Sequence, residues 1–212
     1  MQRAVKRTLT IETRRNDLIL AALRSIEKHG FRDSTIQTIC EESGLSRGMI
    51  SHYFDGKDDL LLAAFDYLAA QTDAEAREMV GAAGPDPFKR LLTAAYVTFA
   101  RERPYHEVWL HFWACALTNP AAMKIHRDLW GRFRRSTERM LQAAATDRRI
   151  ELDIPQTAWM FTQLIDGLWL SRILERKHDL EACRKVMRDW LCALFNENPA
   201  DHPLTVVGVW EE

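Results

Sequence analysis

Cysteine is scarce and scattered. The four cysteines, Cys40, Cys115, Cys183 and Cys192, form no CxxC pair and no metal-ligand spacing, which argues against a zinc finger or a disulfide scaffold. The chain opens without a signal-peptide pattern, so reduced thiols and a cytoplasmic location are expected. Long hydrophobic runs are missing too. The densest, from Val108 to Leu117, is interrupted by His111 and falls short of the ~18 apolar residues of a membrane span, so no membrane partner is expected. No excess charge of either sign exists: 29 basic and 30 acidic residues leave a net charge of -1. The molecule is no polycation, and any contact with nucleic acid must come from a local patch.

Patterns that carry catalysis are also lacking. The chain is read as having no nucleophile elbow, phosphate-binding loop, HExxH or paired metal-ligand spacing. His106 and His111 are five residues apart, which on a helix places them on different faces. No enzyme activity, cofactor or metal is therefore expected. A Cys–His site and a thiol sensor using Cys115, Cys183 or Cys192 are the alternatives. The apolar surroundings of those cysteines favour inert, protonated thiols. A helix-turn-helix protein serving only as an interaction scaffold is a third alternative.

What is present is a helical period. Glycine and proline are sparse, nine and seven residues, and mostly mark boundaries, and between them apolar residues recur at three and four. The fold class expected is all-α. Helices are predicted over about 12–29, 35–43, 46–53, from Lys57, 88–102, 105–117, 120–145, 155–177 and 179–195. The segment 81–87, Gly-Ala-Ala-Gly-Pro-Asp-Pro, is the clearest loop. The domain reading is an N-terminal three-helix DNA-binding domain over 1–56, a larger helical ligand-binding and dimerisation domain over 57–196, and a loose tail over 197–212.

Two short helices meeting at Gly44 form a helix-turn-helix. Glycine there supplies the left-handed turn that lets the second helix cross the first. Leu45, Met49 or Ile50, and Phe54 are read as inward, leaving Arg47, Gly48, Ser51 and His52 on the outer face. Arg47 suits a bidentate bond to guanine, and Gly48 removes bulk where the helix approaches bases. Ser46, Ser51, His52 and Tyr53 can donate to phosphates, and Lys57 sits at a helix start that favours anions. Five basic side chains in residues 1–15 (Arg3, Lys6, Arg7, Arg14 and Arg15), against one acid, Glu12, add a local positive stretch.

Residues 12–65 resemble the TetR family of bacterial repressors. The resemblance rests on a first amphipathic helix, Gly30-Phe31, Ser34-Thr35, Ile39, Ser43-Gly44-Leu45-Ser46, Gly48, Tyr53-Phe54, Lys57 and Leu60-Leu61. It implies a homodimer on a palindromic, double-stranded operator, and through that operator association with the bacterial nucleoid. It also implies Ser46, Arg47, Gly48 and Met49 nearest the bases, and Thr35, His52, Tyr53 and Lys57 nearest phosphates. Many members carry tyrosine where this chain has Ser51.

All seven tryptophans lie after position 100. Trp109, Phe112 and Trp113 cluster on one predicted helix, and Trp159, Asp166 and Trp169 on a later one. Electron-rich rings with a carboxylate suit an organic cation, and an aspartate in the apolar segment 164–169 needs a partner if buried; Arg172 is the candidate by sequence. Ile50-Ser-His-Tyr-Phe54, Trp109-Leu-His-Phe-Trp-Ala114 and Ile165-Asp-Gly-Leu-Trp169 resemble the choline-responsive BetI-type repressors. That resemblance implies a small-molecule effector such as choline or another quaternary ammonium compound. Ile165, Leu168, Leu180, Val186, Met187, Trp190, Leu194 and Phe195 give the last two helices an apolar surface expected to pair two copies.

Overall fold

A computed structural model describes residues 2–101, 105–176 and 178–205, with the side chains of residues 2–10 left aside. Pro104, the side chains of Arg3, Lys6 and Arg7, and the tail from residue 206 thus lie outside the described residues. Among the described residues there are nine α-helices and no strand. They are α1 (Gln2–Asp33), α2 (Ile36–Ser43), α3 (Arg47–Tyr53), α4 (Lys57–Ala82), α5 (Pro87–Tyr96), α6 (Val108–Ala116), α7 (Pro120–Arg148), α8 (Ile154–Glu175) and α9 (Leu180–Phe195).

Local chemistry sets the ends. Asp86, Asp153 and Asp179 each accept a backbone N–H at the start of α5, α8 and α9, and proline opens α5. α1 begins earlier than its apolar period suggests, and its helical backbone breaks where expected, at Gly30 (φ 78°, ψ 166°). α5 stops at Tyr96 and tightens into a 3-10 turn over Val97–Phe99, short of the predicted 102.

Two compact units emerge. The first joins Met1–Gln71 with Pro104–Asp128, and the second joins Thr72–Arg103 with Leu129–Glu212. The segment around α6, assigned by sequence to the ligand-binding domain beyond residue 57, thus packs with the helix-turn-helix. The first unit buries Leu18, Leu23 and Ile26 of α1, Ile39 of α2, Ile50 of α3, Leu60 and Phe65 of α4, and Phe112 of α6 in one core. The second buries Phe88, Leu91, Phe99, Phe161, Met187 and Leu191.

The described part of the tail, through residue 205, is anchored near its start. Residues 199–201 form a 3-10 turn, and His202 behind it is buried. Its ring meets Phe88 edge-on at 5.0 Å, and its Nε2 lies 3.2 Å from the Glu197 carboxylate. Arg148 fastens the same region. It donates to Glu197 at 2.7 Å and to both oxygens of Asp86 at 3.2 Å, and it lies 5.6 Å over the Phe88 ring. A burial-compatible ring and three charges dock this stretch, where composition suggested looseness.

Candidate nucleic-acid interface and effector site

The helix-turn-helix is held by a buried hydroxyl chain. Ser25 on α1 donates to Ser34 at 3.2 Å and lies 2.8 Å from the hydroxyl of Thr38 on α2. Ser34 in turn donates to the Gly30 carbonyl at 2.8 Å. Arg24 donates to the Glu42 carbonyl at 3.1 Å, and Lys28 reaches the Glu42 carboxylate at 3.1 Å. These bonds fix α2 on α1, and none was anticipated from sequence. Polar residues inside an apolar period (Ser25 between Leu23 and Ile26) are the signal that could have found them.

Gly44 takes φ 67° as the C-cap of α2 and donates its N–H to the Cys40 carbonyl at 2.9 Å. α3 then runs for seven residues with Ile50 buried and Phe54 buried behind it. Ser46, Arg47, Gly48, Ser51 and His52 are exposed, and Met49 and Tyr53 are half-buried. A Cβ on Gly48 would meet nothing nearer than the Ser46 hydroxyl at 3.9 Å. Packing within the chain therefore does not account for glycine at a helical position where it costs about 1 kcal/mol relative to alanine.

Arg47 has no ion-pair partner among the described residues, which leaves its five donors free. Ser46 makes no side-chain cap bond, so its hydroxyl is free as well. Ser51 donates to the Arg47 carbonyl at 3.4 Å, and His52 meets Tyr53 edge-on at 4.8 Å. Thr35 closes a capping box: its hydroxyl oxygen accepts from Thr38 N–H at 3.2 Å, and its own O–H donates to no acceptor among the described residues. Lys57 lies 5.9 Å over the Phe31 ring, and Phe31 stacks on Phe65 at 5.8 Å. The first turn of α4 also carries Asp58 and Asp59, and Asp59 accepts the Asp55 N–H at 3.0 Å. Those carboxylates oppose an anion at the helix start, so attraction for a phosphate there rests on the Lys57 ammonium rather than on the helix terminus. The letters Gly44-Leu45-Ser46-Arg47-Gly48 do spell GxSxG, contrary to the sequence reading. They run from the C-cap of α2 into the first turn of α3, with no strand before them and no histidine bonded to Ser46 among the described residues, so the elbow's strained strand-to-helix turn is absent.

The proposed effector residues divide. Trp109, Phe112 and Trp113 belong to the first unit, and Trp159, Asp166 and Trp169 to the second. Phe112 is a core residue, wholly buried between Phe65 at 4.7 Å and Trp109 at 5.5 Å. Trp109 and Trp113 are partly buried against the same core. On α8, Trp159 is 54% exposed while Trp169 is buried. Asp166 shares the helix face of Trp159 two turns on, yet is itself largely enclosed. The partner of Asp166 is Trp130 of α7, whose indole N–H donates to its carboxylate at 3.3 Å, and not Arg172. Burial pushes the Asp166 carboxyl above the ordinary range, and the indole bond pulls it part of the way back.

Burial likewise pushes the Cys115, Cys183 and Cys192 thiols up, which keeps them protonated. No cluster of three or more His, Cys, Asp or Glu among the described residues could hold a metal ion, and none of their helices is long and apolar enough to cross a membrane. Of the apolar residues expected at a dimer face, Ile165, Met187 and Phe195 are instead buried within the second unit, where Phe195 packs on Phe88 at 5.1 Å. Large apolar side chains left exposed on α8 and α9 are Trp159, Met160, Leu174 and Val186.

Residues 18–64 match the family model described as bacterial regulatory proteins, tetR family. Residues 88–196 match the model described as BetI-type transcriptional repressor, C-terminal. The HTH-type transcriptional regulator BetI of Cronobacter sakazakii is 33% identical over 186 residues, covering 84% of this chain and 89% of that protein. Its counterpart in Ectopseudomonas mendocina is 29% identical over 202 residues, covering 87% and 94%. Among solved structures, a putative transcriptional regulator from Pseudomonas aeruginosa PAO1 is similar with a TM-score of 0.77 at 25% identity, covering 91% of this chain and 95% of that one. A putative transcriptional regulator from Saccharomonospora viridis, in complex with choline, shares the fold with a TM-score of 0.76 at 21% identity, covering 84% and 94%.

Proposed function

The chain belongs to the TetR family of bacterial regulatory proteins, with the C-terminal domain of BetI-type repressors, and on that premise we propose that it is a repressor released from its operator by an organic cation. As a member it is a DNA-binding transcriptional regulator rather than an enzyme. The observation that carries the proposal is the outer face of α3, where Arg47 is unpaired among the described residues and Gly48 answers to no internal packing. Ser46, Arg47, Gly48 and Met49 lie against base edges, while Thr35, Ser51, His52, Tyr53 and Lys57 reach phosphates.

Two copies bind a palindrome. Their recognition helices must stand about 34 Å apart to enter successive major grooves. The exposed Trp159, Met160, Leu174 and Val186 of α8 and α9 supply the apolar surface that pairs them. Asp166 receives the effector. A carboxylate already stripped of most water, beside the Trp130 indole, favours a cation that brings its own charge. Choline, seen in the Saccharomonospora viridis structure, belongs to this class. α4 runs unbroken from Lys57 to Ala82, so a cation that prefers one pocket geometry lowers operator affinity by that preference and no more.

The test is selection of bound duplexes from a random pool, followed by a screen of quaternary ammonium compounds for release. Enrichment of a palindrome and its release by a cation are expected. No preference for any duplex over random competitor at low salt would refute the repressor reading.

A further inference from the structure

We propose that Arg15 of α1 is an additional DNA-backbone anchor, placed beside the recognition helix by the fold; this rests on the reading of α3 as the DNA-contacting element. The Arg15 guanidinium lies 5.0 Å over the ring of Phe54, the C-cap residue of α3. Thirty-nine positions separate the two in sequence, so only the folded first unit joins them. Residue 15 also precedes the segment matched by the tetR model, which begins at 18.

Three features make this a prepared cation rather than a solvated side chain. Arg15 is exposed, and among the described residues no carboxylate lies within ion-pairing distance of it. Its neighbour Arg14 differs: Asp17 lies 3.8 Å away and offsets its charge. The ring contact leaves the chemistry open: among the described residues no acceptor takes an Arg15 N–H, so its donors remain free for a phosphate. The ring also restrains the side chain before DNA arrives, which reduces the rotamer entropy lost on binding.

The position defines what Arg15 touches. α3 rises about 9 Å from Arg47 to Tyr53. Arg15 sits at the Phe54 end, with His52 and Tyr53, and away from the base-reading end at Ser46 to Gly48. It therefore meets the sugar-phosphate backbone, and it adds affinity and salt dependence without choosing sequence.

The experiment titrates the full-length protein into two fluorescein-labelled duplexes, one selected from a random pool and one of random sequence, over a series of salt concentrations. Arg15→Gln is expected to weaken both duplexes by a similar several-fold factor and to flatten the salt slope by about one per protomer, while the melting temperature stays put. Arg15→Lys, which keeps the charge and loses the planar fork, should recover most of the slope. An unchanged slope in Arg15→Gln overturns the anchor while leaving the α3 reading intact. So does a loss of affinity that tracks a fall in melting temperature with the slope preserved, because Arg15 then only covers Phe54. Failure of the unaltered protein to bind the selected duplex better than the random one removes the α3 reading and the anchor with it.

Discussion

Arg148→Met is the substitution whose consequence follows most directly from geometry. Arg148 sits at the end of α7 with its side chain 24% exposed, and it joins three separate parts of the second unit. Asp86 is the N-cap of α5, and Glu197 begins the docked stretch after α9. Asp147, its chain neighbour, is also paired with it. Methionine keeps the length and apolar stem that cover Phe88 but removes the charge. Each partly exposed pair across the unit contributes about 1 kcal/mol after solvent screening, so losing those to Asp86 and Glu197 removes about 2 kcal/mol. For a chain of this size that lowers the melting midpoint by about 4–8 °C in calorimetry or circular dichroism.

The pH dependence supplies a second reading of the same substitution. For Glu197, the bond from Arg148 is the largest influence and holds the carboxyl below the ordinary range. For Asp86, burial pushes upward, but the bonds from Arg148 and from the N–H groups of Phe88 and Lys89 outweigh it and the carboxyl again ends low. Carboxyls lowered in the folded state contribute stability that is complete above their unfolded values and is lost as pH falls through their folded values. The gap between Arg148→Met and the unaltered protein should therefore be full at neutral pH and close in acid. A midpoint that moves by less than ~1 °C at neutral pH, or a gap of constant size down into acid, would show that the hub carries no stability.

Other outcomes follow from the two sites. Arg47→Ala should cost ~1–3 kcal/mol at the selected operator and relax its sequence preference; an unchanged footprint would remove Arg47 from the bases. Lys57→Ala should weaken specific and random duplexes alike and flatten the salt dependence, as read by fluorescence anisotropy. Asp166→Asn should abolish release by quaternary ammonium compounds while raising thermal stability at neutral pH. The Asp166 carboxyl is raised in the folded chain, so its favourable contribution exists below the unfolded value and is lost as pH rises through the folded one; asparagine has no proton to lose. Retained cation release in Asp166→Asn would place the effector elsewhere. Phe112→Ala should destabilise by ~3–5 kcal/mol in denaturant titration, because the ring is wholly enclosed.

Local signals were legible wherever one segment decides its own conformation. The 3.6-residue period, together with Gly30 and Gly44 in positive-φ backbone, placed the helices and the recognition turn, because these depend on neighbours a few residues away. The exposed face of α3 was legible for the same reason: a seven-residue helix with Ile50 inward has only one outward side. Periodicity was silent where a residue is fixed by something distant. It offered no sign that α6, which carries Trp109 and Phe112, packs into the core of the helix-turn-helix unit.

What the chain determined by itself is the all-helical fold class, the turn at Gly44 and the residues offered outward on α3. Tertiary structure alone decided that Asp166 pairs with Trp130, that Arg15 lies on Phe54, and that Arg148 fastens the stretch after α9. Helix register is set over a single turn, within reach of a sequence window. Charges and rings 36 to 49 residues apart meet only after the intervening chain has folded, and their burial and pairing depend on that meeting.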